Sequence, residues 1–272
     1  MSILRCPVCA TDLNRNGNYF ACVNRHSFDI ARQGYVNLLL SSQRPSTAPG
    51  DSAAMLADRR AFLEAGYYAP LRERIIERLN ALRTTADRPQ RVLDLGCGEG
   101  YYTAAFSAPQ RKVYALDIAK PALAVGARRS AAVTWCVGTS KALPFHDASL
   151  DVVLNIFCRP HITETLRVLR ADGRLLVVGP GAGHLRELRD VLYEQVHEED
   201  SHMLEQLLGQ GFILAHSEPL SLTLEVSGAH IGELARMTPH YWRAPTPGRV
   251  KLDQLLTLSV QAEFMLYELS GG

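Results

Sequence analysis

From residue 91 onward the chain alternates between short apolar runs and longer stretches with helix-like spacing. The runs RVLDL (91–95), KVYALD (112–117), VTWCV (133–137), LDVVLNI (150–156) and RLLVVG (174–179) are each bounded by Gly, Asp or Pro. Such compact apolar runs predict strands buried on both faces, the habit of parallel sheets. Helical segments are predicted between and after them, near 101–107, 120–130, 161–170 and 184–197. The pattern is therefore a repeated βαβ, an α/β doubly wound sheet with helices on both faces. The last run, TLSVQAEFMLYEL (257–269), is long for an internal strand and is expected to form a late, antiparallel edge element.

The front of the chain reads differently. Residues 1–40 form a short cysteine-rich unit, and SSQRPSTAPGD (41–51) has the Ser, Pro and Gly content of a linker. Ser52 is placed to cap a helix. Met55, Leu56, Phe62 and Leu63, then Leu71, Ile75, Ile76, Leu79 and Leu82, recur at helical spacing, with a break expected at 66–70. Three units follow: a metal-binding module (1–40), a linker and helical segment (41–88), and an α/β domain (89–272). No internal repeat interrupts this division.

At 272 residues, 47% hydrophobic and 21% charged, the composition is that of a soluble enzyme. No apolar stretch approaches the roughly 18 residues of a membrane span. The start, MSILRCPVC, has neither the apolar core nor the cleavage site of a secretory signal, so a cytoplasmic protein is expected. In that reducing compartment six cysteines read as metal ligands or free thiols before disulfides. A net charge of +1 carries no nucleic-acid signature by itself. Its distribution is uneven, with twelve Arg against eight acidic residues in positions 1–90.

Cys6, Cys9, Cys22 and His26 have the spacing C-x2-C-x12-C-x3-H. Three thiolates and an imidazole complete a closed tetrahedral site, so a structural Zn2+ is expected, supplying much of the folding energy of a unit too small for its own core. A redox CxxC is the alternative, but that motif belongs at a strand–helix junction inside a larger fold. Cys97, Cys136 and Cys158 lack metal-like spacing and read as small buried hydrophobes.

VLDLGCGEGYYT (92–103) is a strand ending near Asp94, followed by Gly96, Gly98 and Gly100 and a helix start. A glycine turn after a strand lets a ligand approach bare backbone, and a nicotinamide-binding loop has a related form. Asp94 and Glu99 favour a ligand with an amino group and a sulfonium over one with two phosphates. Asp117 ends the next strand, where a carboxylate meets ribose hydroxyls. The loop matches the D-x-G-x-G-x-G of class I methyltransferases, a Rossmann-like fold that binds S-adenosylmethionine. ALPF (142–145) resembles the element that lines the adenine there, with Ser140 or Leu143 as contacts.

CPVC, FDIARQGYVNLL (28–39), PGDSAAMLADRRAFLEAGYYAPL (49–71), GHLREL (183–188) and MTPHYWRA (237–244) extend the likeness. With them the chain resembles, over nearly its whole length, the bacterial 23S rRNA (guanine-N1)-methyltransferases, the family that includes tylosin-resistance enzymes. The resemblance implies methylation of N1 of a guanine in a domain II hairpin loop near the macrolide-lined tunnel. It also implies a homodimer, zinc modules that grip RNA, and cofactor contacts from Tyr68, Gly98, Glu99 and His184. Asn155 is expected to present an amide to the substrate, and Tyr35, Tyr101, Tyr102, Phe157 and Trp242 are aromatic candidates to receive a flipped base. Asp51 and His184 are the candidate acceptors of the N1 proton, and no catalytic residue is assigned. Two other functions compete. A small-molecule methyltransferase does not need the zinc module, and a zinc-dependent RNA-binding factor without activity does not need Asp94, the three glycines and Asp117.

Overall fold

The computed structural model describes residues 2–43, 52–82, 88–195 and 202–272, so Asp51 and most of the expected linker lie outside the described residues. Three short strands, β1 (Asn14–Asn16), β2 (Tyr19–Ala21) and β3 (Ser27–Asp29), make a small antiparallel sheet. Strand β4 (Tyr35–Asn37) leaves it, and helices α1 (Ala53–Glu64) and α2 (Ala69–Ala81) follow. Ser52 caps α1, its Oγ accepting from Met55 N at 3.2 Å, and Pro70 opens α2. The alternating region then runs β5 (Gln90–Leu95), α3 (Tyr101–Ala105), β6 (Arg111–Asp117), α4 (Lys120–Gly126), β7 (Thr134–Val137), β8 (Leu150–Ile156), α5 (Ile162–Val168) and β9 (Leu169–Pro180). After α6 (Arg186–Leu192) and α7 (Met203–Leu208) come β10 (Phe212–Ser227), α8 (Ala229–Arg236), α9 (Pro239–Arg243), α10 (Thr246–Asp253) and β11 (Thr257–Gly271).

The large sheet has the order β10-β11-β9-β8-β5-β6-β7-β4. Its six strands from β9 to β4 are parallel, and β11 and β10 add antiparallel. The chain runs outward from β5 through β6 to β7, then restarts at β8 on the other side of β5. That reversal is a topological switch point, and the carboxyl ends of β5 and β8 are where such sheets hold ligands.

Two features depart from the sequence reading. The run at 257–269 is antiparallel as expected, but it is internal: β11 lies between β9 and β10, and β10 is the edge. In β10 exposed positions interrupt the apolar ones and Pro219 sits mid-strand, a tolerated arrangement only where an edge leaves backbone N–H groups unpaired. The second feature is β4, which pairs in parallel with β7, so the cysteine-rich end of the chain completes the large sheet.

Alternate residues of each strand feed two cores. On one face Val92, Val113, Leu154 and Val178 pack under α1, α2, α6 and α8. On the other, Leu95, Leu116, Phe145 and Val153 share a cluster with Ile3, Leu4, Leu13 and Phe20 of the N-terminal unit. Among the described residues the crossover from β7 to β8 contains no helix. The small sheet unit stands there instead, tied by Arg5 N to Pro144 O and His146 N to Ile3 O, each 3.0 Å. Leu143 and Phe145 are buried beneath it, so the apolar side chains of ALPF serve the packing of that unit.

Candidate active site and metal centre

The knuckle between Cys6 and Cys9 and the turn from Cys22 to His26 face each other. The four ligand atoms lie within 4.8 Å of one another. Cys6 Sγ to His26 Nδ1 is 3.7 Å, Cys22 Sγ to His26 Nδ1 is 3.4 Å and Cys9 Sγ to Cys22 Sγ is 3.7 Å. Ligands at ordinary zinc bond lengths on a tetrahedron stand about 3.4–3.8 Å apart, so these residues fit the ion. The Thr11 hydroxyl, 3.2 Å from Cys9 Sγ, leads the contacts that bring the Cys9 thiol down to about 5, favouring the thiolate a metal requires.

At the carboxyl ends of the central strands lies a cavity of about 530 Å³. Tyr68, Asp94, Gly96, Gly98, Glu99 and His184 all line it. Gly100 and Asp117 do not, and they shape the loop from behind. Gly100 has φ +80, and a Cβ there would stand 2.4 Å from Trp135 Cη2. Asp117 accepts the backbone N–H of Gly98 and of Ala119, each at 2.8 Å. Gly98 is the opposite case: φ is +54 and a Cβ would meet nothing within 4 Å, so its bare backbone borders open space.

Both acidic groups of the loop are buried. Asp94 is 2% exposed and receives the Thr103 hydroxyl at 2.5 Å, yet burial pushes it up to about 7. Glu99 is ion-paired to Arg129 through Oε2, and its Oε1 is buried without a partner. The hydroxyls of Tyr68, Tyr101 and Tyr102, all on the cavity wall, are likewise buried without a partner. Orphaned polar atoms facing one cavity call for a polar ligand, because a buried donor or acceptor left unpaired is costly. A ligand with an ammonium, a sulfonium and ribose hydroxyls suits this set.

His184 follows β9. A carbonyl only accepts, so Nδ1–H donates to Glu263 O at 2.6 Å, and Nε2 is left as an acceptor. Burial lowers its pKa to about 4, so the ring is neutral. Tyr35 is core, and Trp242 is exposed on α9 outside the cavity wall. Asn155 ends β8 as expected, but it is fully buried with both amide atoms unpartnered and is not on the cavity wall. Cys136 is core, whereas Cys97 and Cys158 reach the cavity with thiols that burial pushes up. The residues missed in the sequence are Arg59, Arg159, Arg189, Thr238 and His240, all on the wall. Arg59 belongs to RRAFL and Thr238 and His240 to MTPHYWRA, so two of the stretches that carry the family resemblance meet at the cavity.

Residues 4–46 match a family model described as RlmA, N-terminal, and residues 92–179 match a methyltransferase domain. The chain is 36% identical, over 88% of its length and 85% of the relative, to the 23S rRNA (guanine(748)-N(1))-methyltransferase of Streptomyces fradiae. It is 40% identical, over 70% of its length and 69% of the relative, to a Micromonospora griseorubida protein provisionally named as a 23S rRNA (guanine-N(1)-)-methyltransferase. Among solved structures, a chain of the complex between the Haloferax volcanii Trm112 methyltransferase activator and a methyltransferase aligns with TM-score 0.50 and 16% identity. That alignment covers 80% of this chain and 95% of the other, and it concerns the fold alone.

Proposed function

Because the chain belongs to the family of 23S rRNA (guanine-N1)-methyltransferases, we propose that it methylates N1 of a guanine in 23S rRNA, within a domain II hairpin loop near the macrolide-lined tunnel. It is an S-adenosylmethionine-dependent methyltransferase with a class I, Rossmann-like domain and an N-terminal zinc ribbon. The observation that carries the substrate reading is the cavity itself. The glycine loop lines one part of it, and Arg59, Thr238 and His240, from two of the stretches that carry the family resemblance, line another.

S-adenosylmethionine, when bound, supplies an already activated methyl group. The protein's task is then to hold guanine N1 in line and exclude water. Asp94 and Glu Oε1 at position 99 are assigned to the cationic end of the cofactor, with Tyr68 and His184 offering one polar atom each. The Gly96–Gly98–Gly100 turn admits the ligand against backbone, and Asp117 is assigned to the ribose while it holds that turn. Arg159, exposed on the wall, and the half-buried Arg59 give it charge of the sign that a phosphodiester chain requires. Residues 1–40 are read as the RNA-recognition module, 41–88 as linker and helical segment, and 89–272 as the methyltransferase domain. A homodimer belongs to the same reading, and sedimentation measures it directly. An rRNA substrate implies work in the cytoplasm, and no helix among the described residues is long and apolar enough to cross a membrane.

Incubating the protein with labelled S-adenosylmethionine and unmodified 23S rRNA tests the reading. Label is expected in RNA, with a reverse-transcription stop beside one domain II guanine, because N1-methylation blocks base pairing. Label in small metabolites, or none, rejects it.

A further inference from the structure

At the end of β8 the backbone does something unusual. Phe157 sits at φ +54, the left-handed region that side chains other than Gly rarely adopt. Its N–H is held by Val178 O at 2.9 Å, so the conformation is imposed by the neighbouring strand β9. The residue is 45% exposed although its side chain is apolar, and it lines the cavity. An exposed aromatic on a strained backbone opposes two preferences at once, and strain of this kind collects at functional sites.

Its surroundings place it at the boundary between cofactor and substrate. The next residue, Cys158, lies against the glycine loop so closely that a Cβ on Gly96 would stand 2.6 Å from Cys158 Sγ. One edge of the Phe157 ring rests on Phe264, centroids 5.8 Å apart and planes tilted by 59°. Phe264 is buried and also packs on Tyr68 and His184, so it is a rigid backing. Two residues further along the same loop, Arg159 is exposed on the cavity wall.

We propose that Phe157 is the platform on which the flipped target guanine stacks, with Arg159 pairing a flanking phosphate. This rests on the reading of the chain as an rRNA guanine methyltransferase and adds the residue that receives the base. A flat base meets any π-face, and a guanine outside its helix has lost its own stacking partners. An aromatic ring fixed beside the glycine loop replaces that stack where N1 must meet the methyl donor. Aliphatic replacement leaves the cavity but not the face.

The strained backbone supplies an unusual control. Gly is at ease at φ +54, so Phe157→Gly relieves the backbone while removing the ring. Its melting temperature is expected to equal or exceed that of the wild type, and its affinity for S-adenosylmethionine to stay within about twofold. The kcat/KM for 23S rRNA is expected to fall roughly 10- to 100-fold, the worth of one base–aromatic stack. Phe157→Trp is expected to keep activity within a few-fold. With 2-aminopurine in place of the target guanine, the flipped base is expected to be quenched by the wild type and brighter in the Gly variant. Arg159→Gln is expected to weaken RNA binding and to lower its salt dependence by about one counterion. Full methylation by Phe157→Gly, with a wild-type enzyme that modifies guanine N1, overturns the platform and leaves the function standing. A wild type that leaves 23S rRNA unlabelled overturns the function itself.

Discussion

The four metal ligands fall between Cys6 and His26, whereas the cavity draws its wall from residues as far apart as Arg59 and His240. The metal centre is thus a local construction and the cavity a distant one. Their supports reverse that order. The glycine loop is braced by its own neighbours, with Asp117 on the Gly98 N–H and Trp135 against Gly100. The metal unit has three three-residue strands and borrows its core from the large sheet. It occupies the layer where the β7-to-β8 crossover has no helix, so it is a structural layer of the α/β domain.

The largest expected effect breaks that comparison at its metal end. A structural zinc contributes on the order of 10 kcal/mol to folding in small units, comparable with the whole stability of a domain. Cys22→Ala, or chelation of the intact protein, is therefore expected to lower the melting temperature of the entire chain by more than about 10 °C. S-adenosylmethionine binding should be lost with it, as differential scanning calorimetry and titration calorimetry will show. An unchanged transition with only RNA affinity reduced would make the metal unit an appendage.

The next effect separates support from contact within the glycine loop. Gly100→Ala drives a Cβ to 2.4 Å from Trp135 and keeps an unfavourable φ, a loss of about 2–4 kcal/mol. Gly98→Ala meets no protein atom within 4 Å and should lose only about 1–2 kcal/mol to backbone strain. Its methyl group enters the open space beside the loop, so cofactor affinity is expected to fall at least about tenfold. Chemical denaturation and equilibrium binding on the two variants separate these outcomes, and equal effects on both quantities would erase the distinction.

The smallest effect is a pH dependence. Burial raises Asp94 to about 7, against about 3.9 in the unfolded chain. The folded state therefore holds this proton more tightly, and the resulting stability is complete below about pH 4 and lost as pH rises through about 7. A cationic ligand favours the ionised carboxylate, so affinity runs the other way. S-adenosylmethionine should bind about tenfold more weakly at pH 6 than at pH 8, with proton release on binding at the lower pH, and Asp94→Asn should flatten the profile. A flat profile in the wild type would remove Asp94 from the cationic end of the site.

Much of the fold was legible because its signals are local. LDVVLNI is a strand with the bounds its apolar run suggests, and Ser52 caps the helix it precedes. Strand β10 was not legible, because His216, Ser217, Glu218 and Pro219 mask an edge whose outer side faces solvent. The packing partner of ALPF was not legible for a related reason: Leu143 and Phe145 share a core with Ile3 and Leu4, far away in the chain, and nothing in four residues states which surface will cover them.

The chain's own order of residues determined the zinc quartet, the glycine loop and the succession of strands and helices. Each depends on side chains within a few turns of one another, where spacing dictates geometry. Tertiary packing alone decided that the metal unit completes the catalytic sheet, and that Phe157 is held out of its preferred backbone conformation by Val178. It also decided that Arg59, Arg159 and His240 reach one cavity. Those facts arise from the pairing of β9 with β8 and of β4 with β7, and from helices α1 and α9 meeting the strand ends at the cavity, contacts between segments that share no sequence neighbourhood.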